Sequence, residues 1–279
     1  MPALFVRNLT VIDSARLDPE TGLTGDSWIV DLRLDGQLDP GGMLVDFGEL
    51  KTKLKREIDS ALDHKLLVPL AAAGVAHASR GGVAEIALET TLGRLRYRAP
   101  DEAVRTFAAT DINGAALVRA IETIARAHLP ARVSGVHAEL RHEPAGPPLY
   151  RYTHGLKHHT GNCQRMGHGH RASVAINVDG VASPELQQTW CKHLDGCFIG
   201  TRAHLVSPAG AAIYRFEYTA AQGRFELELP AARCYLIDGQ STVEHIAEHI
   251  AERVAHEHPG RHIRVTAFEG VGKGAIAET

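Results

Sequence analysis

The segment Cys163-Gln164-Arg165-Met166-Gly167-His168-Gly169-His170 gathers the residue types best suited to metal-assisted proton chemistry. Two histidines two positions apart on an extended strand point to the same side, because strand side chains alternate. Neutral imidazoles are good Zn²⁺ ligands, and a catalytic zinc takes three protein ligands and leaves one position open. A third histidine, His154, lies just upstream in Tyr150-Arg151-Tyr152-Thr153-His154. A thiol beside a metal has its pKa lowered and becomes a base or nucleophile. This grouping points to zinc-assisted proton transfer rather than to a structural zinc knot. A His-x-His pair among 17 histidines does not decide the matter alone.

The rest of the chain narrows the choice. With 279 residues, 44% hydrophobic and 23% charged, it is long enough for two ordinary domains with proper cores. A formal net charge of −3 and a pI near 6.6 argue against a nucleic-acid surface or a basic membrane patch. No apolar run is long enough to span a bilayer, and the N-terminus does not read as a signal peptide. Four cysteines at irregular spacing make neither a disulfide framework nor a paired zinc site, so a reducing, cytoplasmic setting is expected.

Two copies of one unit are expected. Leu62-Asp63 recurs as Leu194-Asp195 and Thr110 as Thr242, both 132 residues on; Leu34-Asp35-Gly36 recurs as Val178-Asp179-Gly180, 144 on. Each threonine precedes a helical pattern: Ile112, Leu117, Ile121 and Ile124, then Val243, Ile246, Ala247, Ile250 and Val254, with Thr242 as N-cap. The change of offset places a deletion of about a dozen residues in the second copy, of the kind loops tolerate. It falls where the first copy has a helix striped by Phe47, Leu50, Leu54, Ile58 and Leu62, and the second only Pro184 to Leu194. Alternating hairpins are expected at Ala84–Leu88 with Arg94–Tyr97, and at Ile213–Tyr218 with Arg224–Leu229. The order of strand pair, helix, hairpin, helix and strand in each copy reads as α+β with antiparallel sheet. The division falls at 1–146 and 147–279, across the Pro-rich seam Glu143–Pro148.

These residues resemble the 6-pyruvoyl-tetrahydropterin synthase and 6-carboxytetrahydropterin synthase family, as two tandem units of the tunnelling (T-) fold. The resemblance places His154, His168 and His170 as zinc ligands and Cys163 as the catalytic thiol. It places Thr242-Val243-Glu244 at a helix start that meets substrate, and Glu269 as the pterin anchor. Where the family has Asp-His, the second copy reads Asp195-Gly196. The first copy has the opposite losses. Its zinc positions read Ala15, Thr24 and Asp26, yet Gly42-Met43-Leu44-Val45-Asp46-Phe47 and Leu62-Asp63-His64 are intact, and Glu143 sits near the anchor position. The second copy would then supply metal and thiol, and the first Asp63 and His64, giving one working site per chain, formed either within a chain or between chains.

The resemblance implies 7,8-dihydroneopterin triphosphate as substrate, Zn²⁺ as cofactor, and a homo-oligomer whose sheets close into a β-barrel. Four residues separate Cys163 from His168, between the spacings of the two branches of the family. The 6-carboxy product of the queuosine route is expected, with the 6-pyruvoyl product as the alternative and a non-catalytic pterin- or zinc-binding scaffold as the competing class. His158 and His159 read as a solvated loop, and His245 and His249 as part of a charged outer helix face among Glu244, Glu248 and Glu252. Cys191, Cys197 and Cys234 read as packing residues.

Overall fold

Alternating apolar residues draw the first half into long strands. The computed structural model describes residues 2–144, 148–208 and 210–279. A hairpin of β1 (Ala3–Asp18) and β2 (Gly22–Gly36) is followed by α1 (Phe47–Leu62), β3 (Leu66–Pro69) and β4 (Val75–Arg80). A second hairpin, β5 (Val83–Thr90) and β6 (Gly93–Pro100), leads into β7 (Val104–Phe107), α2 (Gly114–Arg126) and β8 (Val133–Arg141). The second half repeats the order with shorter pieces: β9 (Tyr150–His154), β10 (His168–Ala172), β11 (Val174–Val178), β12 (Val181–Ala182), α3 (Pro184–Leu194) and β13 (Cys197–Thr201). Its hairpin is β14 (Ile213–Ala220) with β15 (Gly223–Pro230), followed by β16 (Cys234–Ile237), α4 (Val243–Glu257), β17 (Ile263–Phe268) and β18 (Gly274–Glu278). No helix is long and apolar enough to cross a membrane. The expected boundary between residues 146 and 147 lies outside the described residues.

The strands form four open sheets, in the orders β7-β3-β1-β2-β8, β10-β9-β13-β16, β12-β11-β17-β18 and β14-β15-β6-β5-β4. The last joins the two halves, with Leu227 of β15 opposite Tyr97 of β6 and an Arg98–Glu226 ion pair of 3.0 Å beside them. Beneath it lies a shared core that includes Tyr97, Phe225 and Leu227 from the sheet with Leu66 and Phe198 from the two halves. On the first half, Leu54, Ile58, Leu117 and Ile121 cover Ile12, Val30 and Leu32; on the second, Trp190, Ile246 and Ile250 cover Ile176 and Val265. Burying each such side chain contributes about 1.5–3 kcal/mol.

Several details differ from the sequence reading. The sheets are not purely antiparallel: β3 runs parallel to β1 and β7, and β13 runs parallel to β9 and β16. Among the described residues no sheet closes into a barrel. The shortened helix of the second copy is, as the order of elements implies, the eleven-residue α3 over Pro184–Leu194. Phe47 opens α1 but remains 40% exposed, because the helix meets the sheet only from its second turn. The cap equivalent to Thr242 is Asn113, whose side chain accepts from Ala116 N, and not Thr110.

Register fixes which residues are equivalent. Ala15 lies opposite Leu66 and Thr153 opposite Phe198, and both partners stand three residues past the aspartate that caps the preceding helix. Arg16, not Ala15, therefore occupies the place of His154. Within the hairpins, Arg16 faces Thr24 and Ser14 faces Asp26, as His154 faces His168 and Tyr152 faces His170. Val30 faces Leu140 as Val174 faces Ala267, so the counterpart of Glu269 is His142, not Glu143. A strand slipped by one residue turns every side chain to the other face, which makes these single-residue corrections matter.

Candidate active site

Antiparallel pairing of β9 with β10 sets His154 directly opposite His168, with His170 two residues on along the same face. The three imidazoles are buried, and one nitrogen of each lies within 4.8 Å of the others. Their outer nitrogens face oxygen acceptors. His154 Nδ1 lies 2.7 Å from the Ser241 carbonyl and His168 Nδ1 2.8 Å from that of Arg165. His170 Nδ1 lies within ion-pair distance of Asp13 Oδ1, at 3.3 Å, without forming a hydrogen bond among the described residues. Such partners fix tautomer and ring orientation around a metal. Burial and the neighbouring imidazoles hold His154 and His168 well below the usual histidine range, which keeps them neutral, the form that binds metal. Among the described residues, His168 Nε2 is buried with no hydrogen-bond partner. An orphaned buried acceptor costs about 1–3 kcal/mol, and a cation bound there would satisfy it. The three nitrogen donors fit a zinc ion.

The glycine between the histidines has a separate task. A Cβ on Gly169 would lie 2.4 Å from the Tyr152 carbonyl and 2.7 Å from Gly25 Cα, and one on Gly25 would lie 2.0 Å from the same carbonyl. Thr24-Gly25-Asp26 and His168-Gly169-His170 thus pack backbone to backbone where β2 meets β10, and only glycine permits this approach. That contact brings the first half to the metal-ligand cluster.

Asp63 caps the end of α1, and its Oδ1 accepts from Asp13 N at 2.8 Å. The next residue, His64, donates its backbone N–H to the Asp13 carbonyl at 2.9 Å and has a left-handed φ of 53°. Its Nδ1 lies 2.7 Å from Asp63 Oδ2 and its Nε2 3.3 Å from Cys163 Sγ. Its ring centroid is 4.8 Å from that of His168. Burial opposes a charge on His64, but Asp63 and Cys163 outweigh it and raise the imidazole to about 10. Asp63 and His64 therefore meet Cys163 and the histidine cluster within one chain.

Cys163 sits on a single 3₁₀ turn, Asn162–Gln164, pinned by the β14–β15 turn. Gln222 N donates to Gln164 Oε1 at 2.7 Å, and Gln222 Nε2 donates to Asn162 Oδ1 at 2.8 Å. Glu269 joins the cluster from the end of β17. Its Oε1 lies 3.4 Å from Tyr152 Oη, 3.7 Å from His170 Nε2 and 3.9 Å from His154 Nε2.

The remaining residues singled out in the sequence lie farther from the chemistry. Thr242 caps α4 by accepting from His245 N, one residue after the Ser241 carbonyl that orients His154. Glu143 accepts from Gly272 N at 3.2 Å, bracing the β17–β18 turn. His159 accepts from Gly161 N in an exposed loop. His245 is exposed, but His249 is half-buried, with Nε2 2.9 Å from Tyr235 Oη, so only one of that pair faces solvent.

Asp13 is the residue the sequence did not reveal. Burial would push its carboxyl up, but His170, Lys273 and Ser27 hold it well below the usual carboxylate range. It receives Ser27 Oγ at 2.5 Å and Lys273 Nζ at 3.3 Å. Asp13 thereby links the Asp63-His64 backbone to a ligand of the other half, a role visible only once the halves are docked.

Residues 13–108 match the family model described as 6-pyruvoyl tetrahydropterin synthase. Over that span, about a third of the chain, the sequence is similar to this family. The tetrahydropterin-synthase fold here is a T-fold of mixed α+β construction. Among solved structures, the chain is similar to the Plasmodium falciparum 6-pyruvoyl tetrahydropterin synthase, with 13% identity, a TM-score of 0.41, and 50% of this chain and 90% of that one covered. The Plasmodium vivax 6-pyruvoyl tetrahydropterin synthase aligns at 18% identity and a TM-score of 0.37, covering 50% and 97%. No curated protein matches the chain.

Proposed function

We propose that this tetrahydropterin-synthase relative is a zinc-dependent lyase acting on 7,8-dihydroneopterin triphosphate, with one composite site per chain. The observation that carries this reading is the 3.3 Å contact between His64 Nε2 and Cys163 Sγ beside three buried imidazoles. Random decay of two copies has no reason to leave a proton-transfer pair from one against a thiol and metal-ligand set from the other, which weighs against a non-catalytic scaffold.

In this reading, residues 1–146 form a unit that contributes Asp63 and His64, and residues 147–279 one that contributes the rest. His154, His168 and His170 hold the zinc, which when bound stabilises developing oxyanions on the substrate side chain as a Lewis acid. Glu269 offers two acceptor oxygens to the guanidine-like edge of the pterin. Asp63 holds the Nδ1–H tautomer of His64, so Nε2 takes the Cys163 proton and returns one to substrate. The resulting thiolate removes a proton from the substrate side chain. Thr242 and Glu143 act, in this reading, by supporting the shells around His154 and Glu269.

The preferred product is 6-carboxytetrahydropterin, released with triphosphate and acetaldehyde on the queuosine route. The 6-pyruvoyl product, the one named in the description of the matched family model, is the second reading. A homo-oligomer goes with either, since β4 and β14 are open edges that a partner chain would cover, and the irregular cysteine spacing goes with a cytoplasmic setting. Mass spectrometry of the zinc-loaded protein with 7,8-dihydroneopterin triphosphate tests the proposal. A 6-carboxy or 6-pyruvoyl product names the branch; no conversion with zinc bound near one per chain overturns the enzymatic reading.

A further inference from the structure

The register that equates the two halves also locates a second cavity, of about 260 Å³, at the first-half counterpart of the histidine cluster. We infer that this cavity is a separate binding site for a small organic oxyanion, a phosphate or carboxylate. The inference rests on geometry alone and is independent of the reaction proposed above.

Three of the exchanges put a basic side chain where the second-half site has a metal ligand or a carboxylate. Arg16 stands where His154 does, and Thr24 where His168 does. Arg151 replaces Asp13: its N–H meets Asp195 Oδ1 at 2.9 Å, as Asp13 N meets Asp63 Oδ1. His142 replaces Glu269. Gly196 replaces His64 and leaves this side without an acid–base imidazole. Asp26 at the place of His170 runs the other way; it lies 2.9 Å from His142 Nε2 and 3.5 Å from Arg151 Nε.

One cationic group without a carboxylate partner is left for a ligand. Arg16 lines the cavity, and among the described residues no carboxylate lies within 4 Å of it; its one bond is a long 3.4 Å contact from Nη1 to the Ile112 carbonyl. Arg151 Nε, 3.5 Å from Asp26 Oδ2, makes no hydrogen bond among the described residues and borders the same space. A planar guanidinium fork matches an oxyanion in two-point contact, which a metal cluster cannot offer. Gly114 in the first turn of α2 borders the same space, where a Cβ would meet nothing within 4 Å. The Trp28 ring, stacked on His142 at 3.8 Å, forms an aromatic wall. The volume exceeds that of a bare ion, so the anion would carry an organic body that rests there.

Trp28 also provides the readout. The full chain carrying Trp190→Phe would be titrated with inorganic phosphate and, separately, acetate, following Trp28 emission. A saturable change with either probe, weakened at least tenfold by Arg16→Gln and restored in part by Arg16→Lys, is the expected result, and the tighter probe names the headgroup. The Arg16→Lys variant also guards against a folding defect in Arg16→Gln. No saturable change with either probe, or binding unaltered by Arg16→Gln, would overturn the inference.

Discussion

His64 and Gly196 are the same position in two halves. Each follows the aspartate that caps a helix, each donates its N–H back to the first strand of its own half, and each has positive φ, 53° and 68°. Gly196 shows what the backbone asks for there, and His64 supplies an imidazole against that preference. Non-glycine residues in this region cost about 1–2 kcal/mol and persist where the surroundings enforce them, typically at functional sites. Replacing His64 by Gly should therefore leave a chain about 1 kcal/mol more stable than the Ala variant. Denaturant unfolding of the two variants checks this; an Ala variant as stable as the Gly variant would remove the strain argument.

Gly25 has no reactive group, yet the site depends on it. A methyl there would press on the Tyr152 carbonyl and the His170 amide, at 2.0 and 2.7 Å. Gly25→Ala should cost about 3 kcal/mol or more, since overpacking against backbone has no side chain to yield. Zinc affinity should fall with it. Gly48→Ala is the control, because its Cβ meets only Asp46 Oδ1 at 3.7 Å, and it should be neutral or slightly stabilising. Thermal melts and zinc titration of both variants decide.

Asp13 holds His170 from the opposite half. Asp13→Asn keeps the shape but removes the charge, and zinc affinity should fall about 10–100-fold, the usual effect of losing an outer carboxylate. Competition with a chromophoric chelator measures this, and unchanged affinity would show that the 3.3 Å approach to His170 is incidental.

Asp31 tests the fold apart from the site. It accepts Asn8 N at 2.7 Å and Arg141 Nε at 2.9 Å. Burial would raise its carboxyl, but these two bonds win and lower it. A group whose folded pKa is depressed stabilises above its unfolded value, about 3.9, and loses that contribution as pH falls through the folded one. Asp31→Asn should cost about 2 kcal/mol at pH 7, with the gap to the parent closing below about pH 4. A gap that stayed constant with pH would contradict the assignment.

What could be read from the sequence follows period and motif. The His168–His170 pair, the hairpins and the α4 pattern carry strong local signals, and the structure places them as those signals suggest. The parallel strands β3 and β7 leave no signal in the sequence, because four residues are too few to show a period. Spacing alone points to Ala15, and to the neighbourhood of Glu143, for the first half's counterparts of His154 and Glu269, one residue from Arg16 and His142, since nothing local fixes register once the ligands are gone. Asp13 and Gln222 carry no local signal, because each acts across a contact between segments distant in sequence.

The most direct test of the composite site is the His64→Ala chain, assayed beside the unaltered one for bound zinc and for turnover of 7,8-dihydroneopterin triphosphate. Zinc near one per chain in both, with turnover reduced about 10²–10⁴-fold in the variant, is the predicted result. Turnover that survives the substitution would mean that the first half takes no part in proton transfer, and the account of a site shared between the halves would be wrong.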